Sequence, residues 1–242
     1  MEIKLPVRFT GSDATTHAET TLILPVDRTA LLLIDCNGDC GTECNAVIQT
    51  HIAPALYAAR QVGMKAVFVY NEGRIIAPAS RPTELHELRR GKRLPDDAPR
   101  PIQPTWAESI APRVDEPIIA KRSQNAFAGT YLDSYLRGCA IDTLLMVGFS
   151  FKSCLFYSMI GAFEREYRVV FLRDGTDPVG TNEFTDTVNS ALDEGGWVRL
   201  VLTRLIEDHM GYSSTCAALI QACVQLGGAN SELPSFNTEH PR

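Results

Sequence analysis

The sequence predicts a three-layer α/β/α fold on a doubly wound, mostly parallel sheet of six strands. Six short apolar runs lack polar alternation, the pattern of strands buried on both faces. Helical patterns fall between these runs, so strand and helix alternate along the chain. At 242 residues, 45% of them hydrophobic, the chain can bury one sizeable core.

Taken in order, residues 1–27 are mixed and polar and read as an N-terminal extension, with an edge strand at Leu22-Ile23-Leu24 before Pro25. Thr29 to Ile34 is the first buried strand, and it ends in Asp35. A helix over Ala46–Val62 leads to a strand at Ala66–Tyr70. Residues 74–117 are charged and proline-rich and read as an inserted excursion, suited to a pocket wall or a subunit contact. The strand Pro117–Ala120 then ends at Lys121. Helix Thr130–Gly138, strand Thr143–Val147, helix Cys154–Glu166 and strand Val169–Leu172 follow. Next come helix Phe184–Glu194, a sixth strand at Val198–Leu202 and helix Ser213–Leu226. Gly63, Gly138 and Gly227 stand where helix C-caps are expected. Residues 28–226 thus form one domain, and 227–242 a polar, flexible tail.

Composition excludes several classes. A net charge of −6 argues against nucleic-acid and anionic-membrane partners. No apolar run approaches the ~18 residues of a membrane span, and no basic start followed by an apolar stretch marks a secretory signal. Seven scattered cysteines, an odd number, suit reduced thiols in the cytoplasm.

Open parallel sheets bind ligands beyond the carboxyl ends of their strands. Asp35, Lys121 and Cys154 all fall at such ends. A thiol at a helix start meets unpaired N–H groups and the positive end of the helix dipole, which favour thiolate. Lys121 would stabilise that thiolate, and Asp35 could take its proton, pass it to a departing amine and activate water.

Competing motifs are incomplete. Cys36, Cys40 and Cys44 form a C-x3-C-x3-C row that fits neither a radical-type cluster nor zinc, and read as thiols near the pocket mouth. Gly148-Phe149-Ser150 begins a nucleophile elbow but lacks its closing glycine. No nucleotide-binding glycine motif appears. Of the five histidines, only His209 follows a predicted strand closely enough to approach the pocket.

Three ordered motifs resemble the isochorismatase-like cysteine hydrolases: Leu32-Leu33-Ile34-Asp35-Cys36-Asn37-Gly38-Asp39, Lys121 through Thr130 with its Asn125-Ala126-Phe127 core, and Gly148 through Cys154. The resemblance implies a metal-free amidohydrolase of small amide, carbamoyl or ureido compounds, with an Asp35–Lys121–Cys154 triad and no cofactor. It further implies a cis Phe149–Ser150 peptide, and an oxyanion hole from the backbone N–H groups of Ser150 and Cys154. Asn37, Glu72, Arg74, Phe127 and Tyr157 are the candidate substrate contacts, and a homo-oligomer, dimer or tetramer, is expected. Cys40 and Phe151 depart from the usual Phe and Thr. The alternatives are a metal-dependent nicotinamidase-like amidase, against which Tyr70-Asn71-Glu72-Gly73-Arg74 offers no histidine, and a silent relative that binds a metabolite or partner.

Overall fold

The computed structural model describes residues 1–12, 16–38, 41–72, 104–177 and 197–227. Its strands are β1 (Glu2–Thr10), β2 (His17–Pro25), β3 (Thr29–Ile34), β4 (Lys65–Asn71), β5 (Ile118–Lys121), β6 (Thr143–Gly148), β7 (Arg168–Leu172) and β8 (Gly211–Ser214). They form one eight-stranded sheet in the order β2-β1-β8-β7-β6-β3-β4-β5. The helices are α1 (Thr42–Val47), α2 (Ala53–Gln61), α3 (Leu132–Gly138), α4 (Phe156–Phe163), α5 (Trp197–Leu205) and α6 (Cys216–Gly227). A π-helical turn, Ile48–Ile52, joins α1 to α2.

The continuous apolar runs have a simple cause. Leu31, Leu33, Phe68, Leu145 and Val170 face a core built with α2 and α6. Their neighbours Leu32, Val67, Leu144 and Val169 face a second core with α3 and α4. Each strand is therefore apolar on both sides, and the fold is the three-layer, mostly parallel one expected.

Two corrections concern strand number and identity. β1 and β2 pair as an antiparallel hairpin that joins the sheet through β8. Ile3, Leu5 and Val7 turn inward while Glu2, Lys4 and Pro6 face out, a period-two pattern that the polar composition of the segment obscures. Val198–Leu202 is not a strand; it lies in α5, with Thr203 and Ile206 buried and Leu200, Val201 and Leu205 exposed. The sixth parallel strand is instead β8, in Gly211-Tyr212-Ser213-Ser214, where a helix start was expected. Its serines are held by polar bonds that composition does not announce: Ser214 donates to the Pro6 carbonyl at 2.6 Å, and Ser213 to Glu207.

Helix boundaries also shift. The predicted Ala46–Val62 helix begins earlier, at Thr42. Gly63 takes the expected left-handed cap, φ +78°, whereas after α3 that conformation falls on Ala140. The predicted helix over Phe184–Glu194 and most of the excursion lie outside the described residues, as does all but one residue of the tail. Among the described residues no helix is long and apolar enough to cross a membrane.

The parallel strands run β5-β4-β3-β6-β7-β8 across the sheet, so chain order reverses between β3 and β6. Such a switch point opens a crevice at the carboxyl ends of the two strands. Gly148 closes β6 there with φ +123°, and its backbone lies so near β3 that an added Cβ would stand 1.9 Å from the Ile34 carbonyl oxygen. Only glycine permits that approach.

Candidate active site

The crevice gathers three groups. Asp35 follows β3 directly, in the left-handed region at φ +51°, with its N–H bonded to the Val69 carbonyl at 2.8 Å. A non-glycine residue there is uncommon and concentrates at functional sites. Lys121 ends β5 in register with Asn71 of β4. Cys154 lies in a π-helical turn, Phe151–Leu155, that leads into α4.

Lys121 joins the other two. Its side chain is 0% exposed, and Nζ stands 2.7 Å from Asp35 Oδ2 and 3.1 Å from Cys154 Sγ. A buried ammonium is costly unless it is paired and hydrogen-bonded. Both conditions are met. Asp35 Oδ1, by contrast, is buried without a hydrogen-bond partner among the described residues.

The electrostatics revise one expectation. The Cys154 thiol is pushed up to about 11, first by burial and then by the negative charge of Asp35; Lys121 opposes both but is outweighed. The resting sulfur is therefore a protonated thiol rather than the thiolate that a helix start alone suggests.

The Phe149–Ser150 peptide is cis, as the resemblance implies. The Ser150 carbonyl accepts from the N–H groups of Ser153 at 3.0 Å and Leu155 at 3.1 Å, so the turn folds tightly around Cys154. Behind it, Ser158 of α4 donates to the Cys154 carbonyl at 2.6 Å and accepts from the Ala126 N–H at 3.0 Å. The thiol turn and the 122–131 loop are thereby fastened together.

The other candidates separate. Asn37 is half-buried two residues beyond Asp35, in a loop pinned where the Gly38 N–H meets the Thr105 carbonyl at 2.7 Å. Glu72 is buried beside the end of β5 and paired with Arg122, a partner the sequence did not suggest. Arg74, Asp39 and Cys40 lie outside the described residues. The Phe127 ring is buried 5.8 Å from that of Tyr167, with the Arg165 guanidinium 5.2 Å from its centre. These contacts anchor the loop in the helical layer. Tyr157 is 47% exposed on α4.

His209 precedes β8 and so sits at the amino end of the parallel strands, away from the crevice. Cys36 is a buried thiol held up by burial and by Asp35. The sequence reading missed Asp177, which accepts from the Ser150 hydroxyl at 3.0 Å and the Phe151 N–H at 2.8 Å through one oxygen, Oδ2. It follows β7 on the crevice side, so the strand-end rule pointed to it.

Residues 29–201 match the family model described as the Isochorismatase domain. The ureidoacrylate amidohydrolase RutB of Methylorubrum extorquens is 27% identical over 217 residues, covering 83% of this chain and 82% of that protein. A cysteine hydrolase from Pseudomonas syringae pv. phaseolicola superposes with a TM-score of 0.63 at 20% identity, over 85% of this chain and 96% of its own. N-carbamoylsarcosine amidase from Thermoplasma acidophilum gives a TM-score of 0.53 at 18% identity, over 78% and 96%. These two structures share the fold. With the family model spanning most of the sheet and the crevice at its switch point, this chain belongs to the isochorismatase domain family.

Proposed function

We propose that the protein is a cysteine amidohydrolase that cleaves the C–N bond of a small amide, carbamoyl or ureido compound. The observation that carries the reading is the buried Lys121 ammonium bonded at once to Asp35 and to Cys154. A relative named ureidoacrylate amidohydrolase, alignable over 83% of this chain, supports the substrate class.

In this mechanism the Cys154 sulfur attacks the substrate carbonyl carbon while its proton passes to Asp35. The N–H groups of Ser150 and Cys154 hold the resulting oxyanion. As the tetrahedral intermediate collapses, the C–N bond breaks and Asp35 returns the proton to the departing ammonia or amine. An acyl or carbamoyl thioester remains on Cys154. Asp35, again a carboxylate, takes a proton from water, which attacks the thioester carbonyl and releases the acid and the thiol. Lys121, bonded to both groups, offsets the negative charge that passes between sulfur and carboxylate. Positioned proton transfer contributes about 10²–10⁴ in rate, and an oxyanion donor about 10²–10³.

Ammonia release from ureidoacrylate and a panel of carbamoyl and ureido compounds tests the reading. The wild type should release ammonia with at least one of them, and Cys154→Ala should lose at least about 10⁴ in turnover with its fold intact. Substantial hydrolysis by Cys154→Ala would sink the covalent route. Activity should survive exhaustive chelation; a loss restored by zinc would favour the metal-dependent alternative.

A further inference from the structure

The turn that carries Ser150 is held from one side by a single short segment, Gly175-Thr176-Asp177. The Gly148 N–H donates to the Gly175 carbonyl at 2.8 Å, and the Thr176 hydroxyl to the Gly148 carbonyl at 2.6 Å. Asp177 completes the clamp through Oδ2, which accepts from the Ser150 hydroxyl and the Phe151 N–H at 3.0 and 2.8 Å. The first two bonds hold the strand end. The Asp177 bonds hold Ser150 and Phe151, the residue before the cysteine turn and the first residue of that turn.

Asp177 is buried, and a buried carboxylate without donors is expensive. Its burial has no role in the proton transfers above: the oxygen with two bonds faces the turn, and neither bond reaches the sulfur or Lys121. Phe151 is fixed from its other side by stacking on Phe171, with ring centres 4.6 Å apart and planes 10° apart. Arg199 of α5 lies 5.9 Å from the Phe151 ring centre. Burial pushes the Asp177 carboxyl up, and its bonds to Phe151 and Ser150, with the Arg199 charge, oppose that rise. The clamp therefore reaches into the fold on both sides of the turn.

We propose that Asp177 is the positioning residue of the oxyanion hole, fixing the Ser150 backbone through its bonds to the Ser150 hydroxyl and the Phe151 N–H. This rests on the acyl-transfer reading above. An oxyanion donor must meet the oxygen at ~2.7–3.1 Å, and a displacement of about 1 Å can cost 10²-fold. Asp177 touches no substrate atom in this account. It acts only through the turn.

The test separates thiol chemistry that needs an oxyanion hole from thiol chemistry that does not. Iodoacetamide alkylates sulfur by displacing iodide from a saturated carbon, so no oxyanion forms. p-Nitrophenyl acetate acylates it: a sulfur–carbon bond forms at the carbonyl, the ester carbon–oxygen bond breaks, and p-nitrophenolate leaves. Both reactions can be followed on Cys154 by peptide mass spectrometry. Asp177→Ala should slow acetylation of Cys154 by about 100-fold, with alkylation changed less than about threefold. Asp177→Asn, which keeps an acceptor oxygen, should recover most of the lost rate. Ser150→Ala removes one of the two bonds and should slow acetylation by several-fold, which keeps the test open should Asp177→Ala fail to fold. Acetylation at the wild-type rate in all three variants, or equal losses in acetylation and alkylation, would overturn the inference alone. A wild type that is never acetylated at Cys154 would overturn the proposed function, and this inference with it.

Discussion

Two buried ionic clusters stand in this fold, and they differ in what lies beside the carboxylate. At the flank, the Glu207 carboxylate is 0% exposed and lies 2.8 Å from Arg8 Nε and 2.8 Å from His17 Nδ1, with the Ser213 hydroxyl also donating to it. Arg173 approaches at 3.9 Å. Arg8 and His17 come from the hairpin, Ser213 from β8, and Arg173 directly follows β7. At the centre, Asp35 has one oxygen on Lys121 and the other buried without a partner among the described residues, beside a protonated thiol. Burial of charge does not distinguish the clusters. Each carboxylate also keeps one oxygen without a hydrogen-bond partner among the described residues, Oδ1 of Asp35 and Oε2 of Glu207. What distinguishes the central one is a thiol bonded to the same ammonium as the carboxylate, at the point where strand order reverses.

If this contrast is right, the two clusters should fail in different ways. The largest effect is expected at Asp35. Asp35→Asn keeps the shape but cannot accept the thiol proton, so turnover should fall by about 10³, measured as ammonia release per folded molecule. Glu207→Ala should do the reverse. It leaves Arg8 and Arg173 without their shared carboxylate, and breaking a buried pair typically costs about 3–5 kcal/mol. The measurement is the urea midpoint, with turnover of the folded fraction unchanged; a stable but inactive Glu207→Ala would erase the distinction. The smallest effect belongs to Arg122, which is 68% exposed while paired with Glu72. Arg122→Ala should cost less than about 1 kcal/mol of stability. A large rise in KM in that variant would give the pair a part in substrate binding.

The sequence already contained the centre of this contrast and little of its flank. Asp35, Lys121 and Cys154 were legible because each follows the carboxyl end of an apolar run, directly or by a short turn, and the strand-end rule converts that position into proximity. The sheet was legible for the same reason, since alternate residues of β3, β4 and β6 serve two cores. β8 was not, because Gly211-Tyr212-Ser213-Ser214 has no apolar signature; its neighbours and its polar bonds make it a strand. Val198–Leu202 misled in the opposite sense: a short apolar run fits helix and strand alike, and burial of Thr203 and Ile206 decides for the helix. Phe127 was placed by motif position, but its ring direction is set by Tyr167 and Arg165, which are distant in sequence. The protonation of the thiol was equally hidden. Helix position argues for thiolate, while burial, known only from the fold, and then the Asp35 charge push the thiol up.

The central claim is that Asp35, Lys121 and Cys154 act as one unit in which burial and the Asp35 carboxylate hold the proton on sulfur until a carbonyl arrives. The pH dependence of Cys154 alkylation by iodoacetamide, compared between wild type and Asp35→Asn, addresses it most directly. In the wild type the rate should keep climbing through pH 9 and level off only near 11, where burial and Asp35 place the thiol. Replacing the carboxylate with a neutral amide removes a charge that disfavours thiolate and leaves Lys121, which favours it. The curve should therefore move to lower pH, so that the variant alkylates faster at pH 8 even as its turnover collapses. A wild-type plateau already reached near neutrality, or superimposable curves for the two proteins, would contradict the account.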